Sequence, residues 1–330
     1  VSEPIGITAT IPVEVPLAAG LRPVDLNNLF ITSQNAKALI ADAESAGFSH
    51  NICAWIKGIY SAVLENGIKR VIAVTGGDCS NTIALGEVLA KRGVEVHHFE
   101  YPLSRDRASL QRQIEKLMRA LGVSWNAVKE VRKRLGRIRE KLSRLDEMTY
   151  GTHQVTGAEN HVFLVSSSDF GGEPDRFERD LDQFLAEASC RPPRPPGVRL
   201  GYAGVPPIFS GFHEFIESLG AQVVFNEIQR QFSMPFGEGD LVEQYLSYTY
   251  PYAIEGRIQD IQRAIATREI EGVIHYAQTF CYRQIYDILL RDALPVPILT
   301  LEGDRPGPLD GRSALRVETF VEMLRASKED

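Results

Sequence analysis

The sequence predicts an α/β protein with two Rossmann/flavodoxin-like parallel-sheet domains and a helical segment between them. Three observations carry that expectation. The short apolar runs Val71 to Val74 and Val273 to Ala277 have the composition of strands buried on both faces. Each is followed, at α/β spacing, by a stretch with helical periodicity. Between them, Ser104 to Met148 holds no strand signal, and its apolar residues recur every three to four positions.

The opening, ITATIPVEVPLAAG, reads as a strand, a turn at Pro12 and a short helix from Glu14 to Ala19, which Gly20 ends. PVDLNNLF is read as the next strand and QNAKALIADAESAG as a helix. HNICAWIKGIYSAVL then presents an apolar face at Ile56, Ile59, Tyr60 and Val63. The strand Val71 to Val74, the pair Gly76–Gly77, a helix from Asn81 to Lys91 and the strand VEVHHFEYP follow, with His97 and His98 at a strand edge.

Leu110, Ile114, Leu117 and Leu121, then Val128, Val131, Leu135, Ile138 and Leu142, predict two amphipathic helices broken near Gly122 to Ser124. Their arginines fit a solvated face, or a docking surface for an acidic partner or a nucleotide phosphate. HVFLVSSSDFGG fits a strand or a helix end feeding a glycine loop, Phe177 to Ala188 is helical, and CRPPRPPG is a stiff connector. The second half restarts with strand VRLGYAG, helix GFHEFIESLG and strand AQVVFNE. A polar, aromatic loop runs from Gln229 to Tyr252, and a helix at EGRIQDIQRAIATRE follows. The Cys281 strand and helix, strand VPILTLEGD and a helix from Ser313 to Ala326 complete the chain. The expected domains are 1–103, carrying Cys53 and Cys79, a helical segment 104–150, a connector 151–196, and 197–330, carrying Cys281.

A chain of 330 residues is ample for two cores. A net charge of -7 argues against general nucleic-acid binding. No apolar run reaches the length of a membrane span, and the first residues lack a basic flank and an apolar secretory core, so a cytoplasmic protein is expected. Four cysteines in a chain this long do not make a disulfide scaffold.

Three of the cysteines fall at element junctions. Cys79 and Cys281 follow predicted strands, and Cys53 opens a predicted helix. In open α/β sheets, ligands bind beyond the carboxyl ends of strands, and helix starts favour thiolate over thiol. A cleft between the domains could bring the three together, where three thiolates suit a metal site with one open position, a 4Fe–4S cluster among them. Buried core cysteines and a nucleophilic thiol are the competing readings. Cys190, inside RPPRPP, is a bystander. TGGD near Cys79 is not a Walker loop, and no GxGxxG opens a helix. His275 is read as a satisfied core histidine or a proton donor, and Glu14 as a complement to the helix dipole or as an acid or base.

TIPVEVPLAAGLRPV resembles the amino-terminal segment of the 2-hydroxyacyl-CoA dehydratase and benzoyl-CoA reductase family. HNICAWIKGIY is similar to its first cysteine helix, VTGGDCSNT to its second cysteine loop, and EGVIHYAQTFCYRQIYD with PVPILTLEGDRPGPLDGRSALRVETFVEML to its third cysteine and carboxyl-terminal end. The resemblance implies one 4Fe–4S cluster held by Cys53, Cys79 and Cys281, and a second related subunit or a homodimer. It also implies an ATP-hydrolysing iron–sulfur activator and an acyl-CoA thioester substrate. The activity it implies is a radical 2-hydroxyacyl-CoA dehydratase, a lyase of anaerobic metabolism. Two alternatives accompany it: a related reductase of an aromatic CoA thioester or other small substrate, and a non-catalytic electron-transfer subunit. Glu14 matches the glutamate of the family segment, and with His275 it is the candidate for proton handling. Arg230 and Arg316 match arginine positions only loosely.

Overall fold

The computed structural model describes residues 2–195, 197–236 and 239–329. The chain forms two compact units, and neither is one contiguous stretch. The first gathers Val1–Glu140, Ser166–Arg179 and Met234–Ala253; the second gathers Lys141–Val165, Asp180–Ser233 and Ile254–Asp330.

The first unit is built on strands β1 (Pro4–Ile7), β2 (Arg22–Asp25), β3 (Arg70–Gly76) and β4 (Glu95–Glu100), which pair in parallel in the order β2-β1-β3-β4. Interior strands must be apolar on both faces, and Ile5, Ile7, Val71, Ile72, Ala73 and Val74 are all buried. At the edge, β4 carries His97 and His98, as the sequence suggests. The Ala54–Glu65 helix buries the expected Ile56, Ile59, Tyr60 and Val63. PVDLNNLF departs from expectation: β2 stops at Asp25, and the Leu26–Ile31 helix begins there. The Asp25 carboxylate accepts from Asn27 N at 2.9 Å, and this cap competes successfully with a longer strand.

The two long amphipathic helices are Arg107–Leu121 and Trp125–Tyr150. Gly122, at φ 69°, ends the first in the left-handed conformation, and Val123 N bonds back to Met118 O at 3.0 Å. Many of their cations have partners within their own unit. Arg107 meets Asp240 and Glu243, Arg132 meets Gly239 O and Gln244, and Arg134 meets Asp175. In the second unit, Lys141 meets Asp182 at 2.7 Å.

The second unit is built on β5 (Val198–Ala203), a two-residue strand β6 (Phe209–Ser210), β7 (Ala221–Asn226), β8 (Gly272–Gln278), β9 (Ile298–Gly303) and a two-residue strand β10 (Gly307–Pro308). The main sheet is parallel in the order β7-β5-β8-β9, while β6 pairs with β10. Every residue of β8 is buried, as its near-continuous apolar run requires. HVFLVSSS proves to be the end of the Gly157–Ser166 helix. Its start is a capping box, in which Glu159 N donates to Thr156 Oγ1 and Thr156 N donates to Glu159 Oε2, each at 2.9 Å.

The stretch read as a loop from Gln229 to Tyr252 contains most of the Glu227–Phe232 helix and all of the Leu241–Ser247 helix. Asp240 caps the latter, accepting from Val242 N at 3.0 Å and Glu243 N at 3.1 Å. Gly237 and Glu238 of that stretch, and Pro196 of the proline-rich connector, lie outside the described residues.

Candidate functional site

In the first unit two cysteines border one apolar cluster. Cys53 belongs to it, and Cys79 packs against it beside Ile56, Ile59, Val71 and Leu85. Cys53 is the N-cap residue of the Ala54–Glu65 helix, with φ −48° and ψ 133°, and its carbonyl accepts from Lys57 N at 3.3 Å. Its neighbour Lys57 is buried and donates to Glu44 Oε1 at 2.7 Å and to His50 O at 3.1 Å. Cys79 lies beyond the carboxyl end of β3, and its carbonyl accepts from Thr82 N at 3.0 Å as the Asn81–Lys91 helix begins. Both thiols therefore stand at helix starts, where unpaired amide groups create the positive potential that favours thiolate.

In the second unit Cys281 lies beyond the carboxyl end of β8. Thr279 N donates to Gly303 O at 2.8 Å, Phe280 turns the chain at φ 64°, and Cys281 N donates to Gln278 O at 3.0 Å. The helix expected after this thiol begins as a tight 3₁₀ turn, Tyr282–Tyr286, and continues as the Asp287–Ala293 helix. Phe280, Tyr282, Ile285, Ile288 and Leu289 around it are exposed. Cys190 is also exposed. Within each unit, among the described residues, no group of three or more His, Cys, Asp and Glu side chains is gathered as a metal site.

Thiol chemistry nonetheless suits iron. Each of the three stands on a rigid strand-to-helix or loop-to-helix junction, half-buried or buried, and thiolate is the ordinary ligand of iron–sulfur clusters.

Glu14 is fully buried at the start of its helix. Arg139 Nη1 donates to it at 2.6 Å, Gln244 Nε2 at 3.1 Å and the Tyr245 hydroxyl at 3.0 Å. Burial pushes its pKa up, but the Arg139 guanidinium and these hydrogen bonds outweigh that and hold it below the usual range. His275 is buried in β8, with Nδ1 2.8 Å from Asp287 Oδ1. Burial lowers its pKa and the bond to Asp287 opposes this, so the ring is neutral near pH 7. The loosely matched arginines are occupied: Arg230 pairs with Asp260, and Arg316 Nη2 donates to Thr300 O at 2.8 Å.

Several buried polar groups escape a reading of the sequence. Glu227 is fully buried beyond β7, where Arg257 Nε and Nη2 donate to it at 2.5 and 2.8 Å, and Gly204 N at 3.0 Å. In the first unit Asp25 and Asp169 form a buried carboxylate pair, with Asp25 N donating to Asp169 Oδ2 at 2.6 Å and Ser168 Oγ to Asp25 Oδ2 at 2.6 Å. Burial and the Asp25 charge push Asp169 up to about 7. In the second unit the rings of His161 and His213 lie 4.5 Å apart. Burial pushes both down, His213 to about 4. No local spacing announces any of these pairs, because the partners come from separate elements.

Among the described residues, no helix is long and apolar enough to cross a membrane. The family model for the 2-hydroxyglutaryl-CoA dehydratase D-component matches residues 8–324. Comparison with curated proteins gives no match.

Proposed function

Because the chain belongs to the 2-hydroxyglutaryl-CoA dehydratase D-component family, we propose that it is the 4Fe–4S-binding subunit of an activator-dependent 2-hydroxyacyl-CoA dehydratase. Cys53, Cys79 and Cys281 are the proposed iron ligands. The observation that supports this most directly is the standing of all three thiols at helix starts, two of them beyond the carboxyl ends of interior strands. Three thiolates would hold such a cluster and would leave one of its irons without a thiolate from this set. When bound, such a cluster supplies one-electron chemistry and a Lewis-acidic iron.

The chain's own residues do the remaining work. Cys53 and Cys79 would meet iron where helices open, at amide-rich backbone ends. His275, kept neutral by burial, can accept a proton, while Glu14, held ionised below the usual range by Arg139, is the weaker base of the two. Asp287 fixes the His275 ring and begins the helix that follows the Cys281 turn, so it aligns that turn as well. The partners in this proposal are an ATP-hydrolysing iron–sulfur activator and a second related subunit or another copy of this chain.

Anaerobic reconstitution with iron and sulfide tests it. The wild-type chain is expected to bind about four irons and turn brown. Serine at Cys53, Cys79 or Cys281 should lower the iron content, while Cys190→Ser should leave it unchanged. A 2-hydroxyacyl-CoA thioester should then perturb the EPR signal of the reduced protein. Iron content indifferent to all three substitutions would refute the ligand assignment.

A further inference from the structure

We infer that Tyr101 and Pro251 are positioning residues for Cys79, acting through Gly77; their relevance to a cluster rests on the function proposed above. Beyond β3 the chain runs Gly76–Gly77–Asp78–Cys79, and Gly77 has φ 85°. A Cβ built on Gly77 would lie 2.7 Å from Tyr101 Cβ and 2.8 Å from the Pro251 carbonyl oxygen. Real Cβ atoms do not approach so closely, so the loop rests directly on both residues. Tyr101 is itself fixed: its backbone N donates to Gly76 O at 3.1 Å and its hydroxyl to Thr10 O at 2.9 Å. Its ring stands edge-on to Tyr248 and Tyr252, each 5.9 Å away between centroids.

Pro251 arrives from far along the chain, within the Met234–Ala253 segment that returns to the first unit. Its turn is closed by Tyr252 N donating to Thr249 O at 3.2 Å, and the Tyr252 hydroxyl donates to Tyr245 O at 3.3 Å. The Cys79 loop is thus held between the end of its own sheet and a buried aromatic segment. Only Asp78 separates the contact point from the thiol's residue, so displacement of Gly77 is carried to Cys79. Groups that orient a ligand from behind in this way govern how firmly a metal is held.

The test needs no iron. The cluster-free chain is alkylated with iodoacetamide, and labelling rates at Cys79 and Cys281 are followed by peptide mass spectrometry. In Gly77→Ala and Tyr101→Leu, Cys79 should label about tenfold faster as the loop opens locally, with Cys281 unchanged. Gly93→Ala is the control: Gly93 has φ 84° but nothing within 4 Å of its added Cβ, so it carries backbone strain without a clash. It should leave Cys79 at the wild-type rate. Tyr101→Phe, which keeps the ring and loses only the bond to Thr10, should label close to wild type. Wild-type Cys79 rates in both Gly77→Ala and Tyr101→Leu, or an equal rise at Cys281, would overturn the assignment. A wild-type chain that takes up no iron would defeat the cluster reading alone, since the labelling rates still decide the role of Tyr101 and Pro251.

Discussion

In the first unit the chain leaves β3 through Gly76 and Gly77 and passes under Tyr101 and Pro251 before Cys79. In the second it leaves β8 through Thr279 and Phe280, and Phe280 takes φ 64° and is 44% exposed. The two sheets deliver a thiol at equivalent places, each beyond an interior strand. The Cys79 loop is held by close packing that only glycine permits. The Cys281 turn is held by one backbone hydrogen bond to the end of β9 and one back to Gln278, with strain stored in a non-glycine residue. Each unit also sets a fully buried glutamate at the start of a helix, against an arginine from a separate helix: Glu14 with Arg139, Glu227 with Arg257. Packing differs between the units, therefore, while the electrostatic anchor is shared.

The largest expected effect tests the shared anchor. Arg139→Met and Arg257→Met each strand a buried carboxylate, and each should cost about 3–5 kcal/mol in urea unfolding. Adding Glu14→Gln to the first, or Glu227→Gln to the second, should recover part of the loss. Recovery in one unit and not the other would break the parallel.

The next effect separates the units by pH. Asp169 is raised from 3.8 to about 7, so its contribution is fully present below 3.8 and is lost as pH rises through 7. His213 is lowered from 6.5 to about 4, so its contribution is present above 6.5 and is lost as pH falls toward 4. Relative to wild type, Asp169→Asn should gain stability as pH rises from about 4 to 7, and His213→Phe should gain as pH falls from about 6.5 to 4. Each relative shift should be on the order of 2–4 kcal/mol, read from melting curves across that range. Parallel curves for variant and wild type would show that the pair in question does not titrate on unfolding.

The smallest effect sharpens the contrast between the thiol turns. Phe280→Gly relieves about 1–2 kcal/mol of left-handed strain. It also adds unfolded-state entropy worth roughly 0.5–1 kcal/mol. The net change in urea stability should therefore be a gain of about 0–1.5 kcal/mol. A loss would mean that the Phe280 ring is packed after all, and that the two turns are held in the same way.

Much of this architecture is legible in the residues. Val71 to Val74 and Val273 to Ala277 announce strands because burial on both faces leaves no room for polar side chains. The Ala54–Glu65, Asn81–Lys91 and paired long helices follow from periodicity, and the thiols fall at the junctions so predicted. One local error has a local cause: Asp25 is an N-cap hidden in a strand-like run. Where HVFLV leaves strand and helix open, Thr156 with Glu159 is a capping box that decides for helix. The Glu227–Phe232 helix is harder to read, because Glu227 falls at the end of the strand AQVVFNE and Gln229, Arg230 and Gln231 in a polar loop, yet all four are buried. Their burial is decided by tertiary neighbours such as Arg257 and Asp260, which no window of sequence contains. The same holds for the return of Met234–Ala253 to the first unit. Ligands drawn from residues 53, 79 and 281 have no spacing signature either, so it is the match over residues 8–324 that lends weight to a cluster.

That returning segment has a consequence for vectorial synthesis. Tyr245 leaves the ribosome 231 residues after Glu14, a wait of about 10–50 s at ordinary elongation rates. Throughout that interval the nascent amino-terminal sheet lacks the hydroxyl, the amide and the aromatic strap that complete its interior, while residues of the other unit are already emerging. Translation speed and chaperone occupancy across that interval thus govern when an element made 231 residues earlier closes.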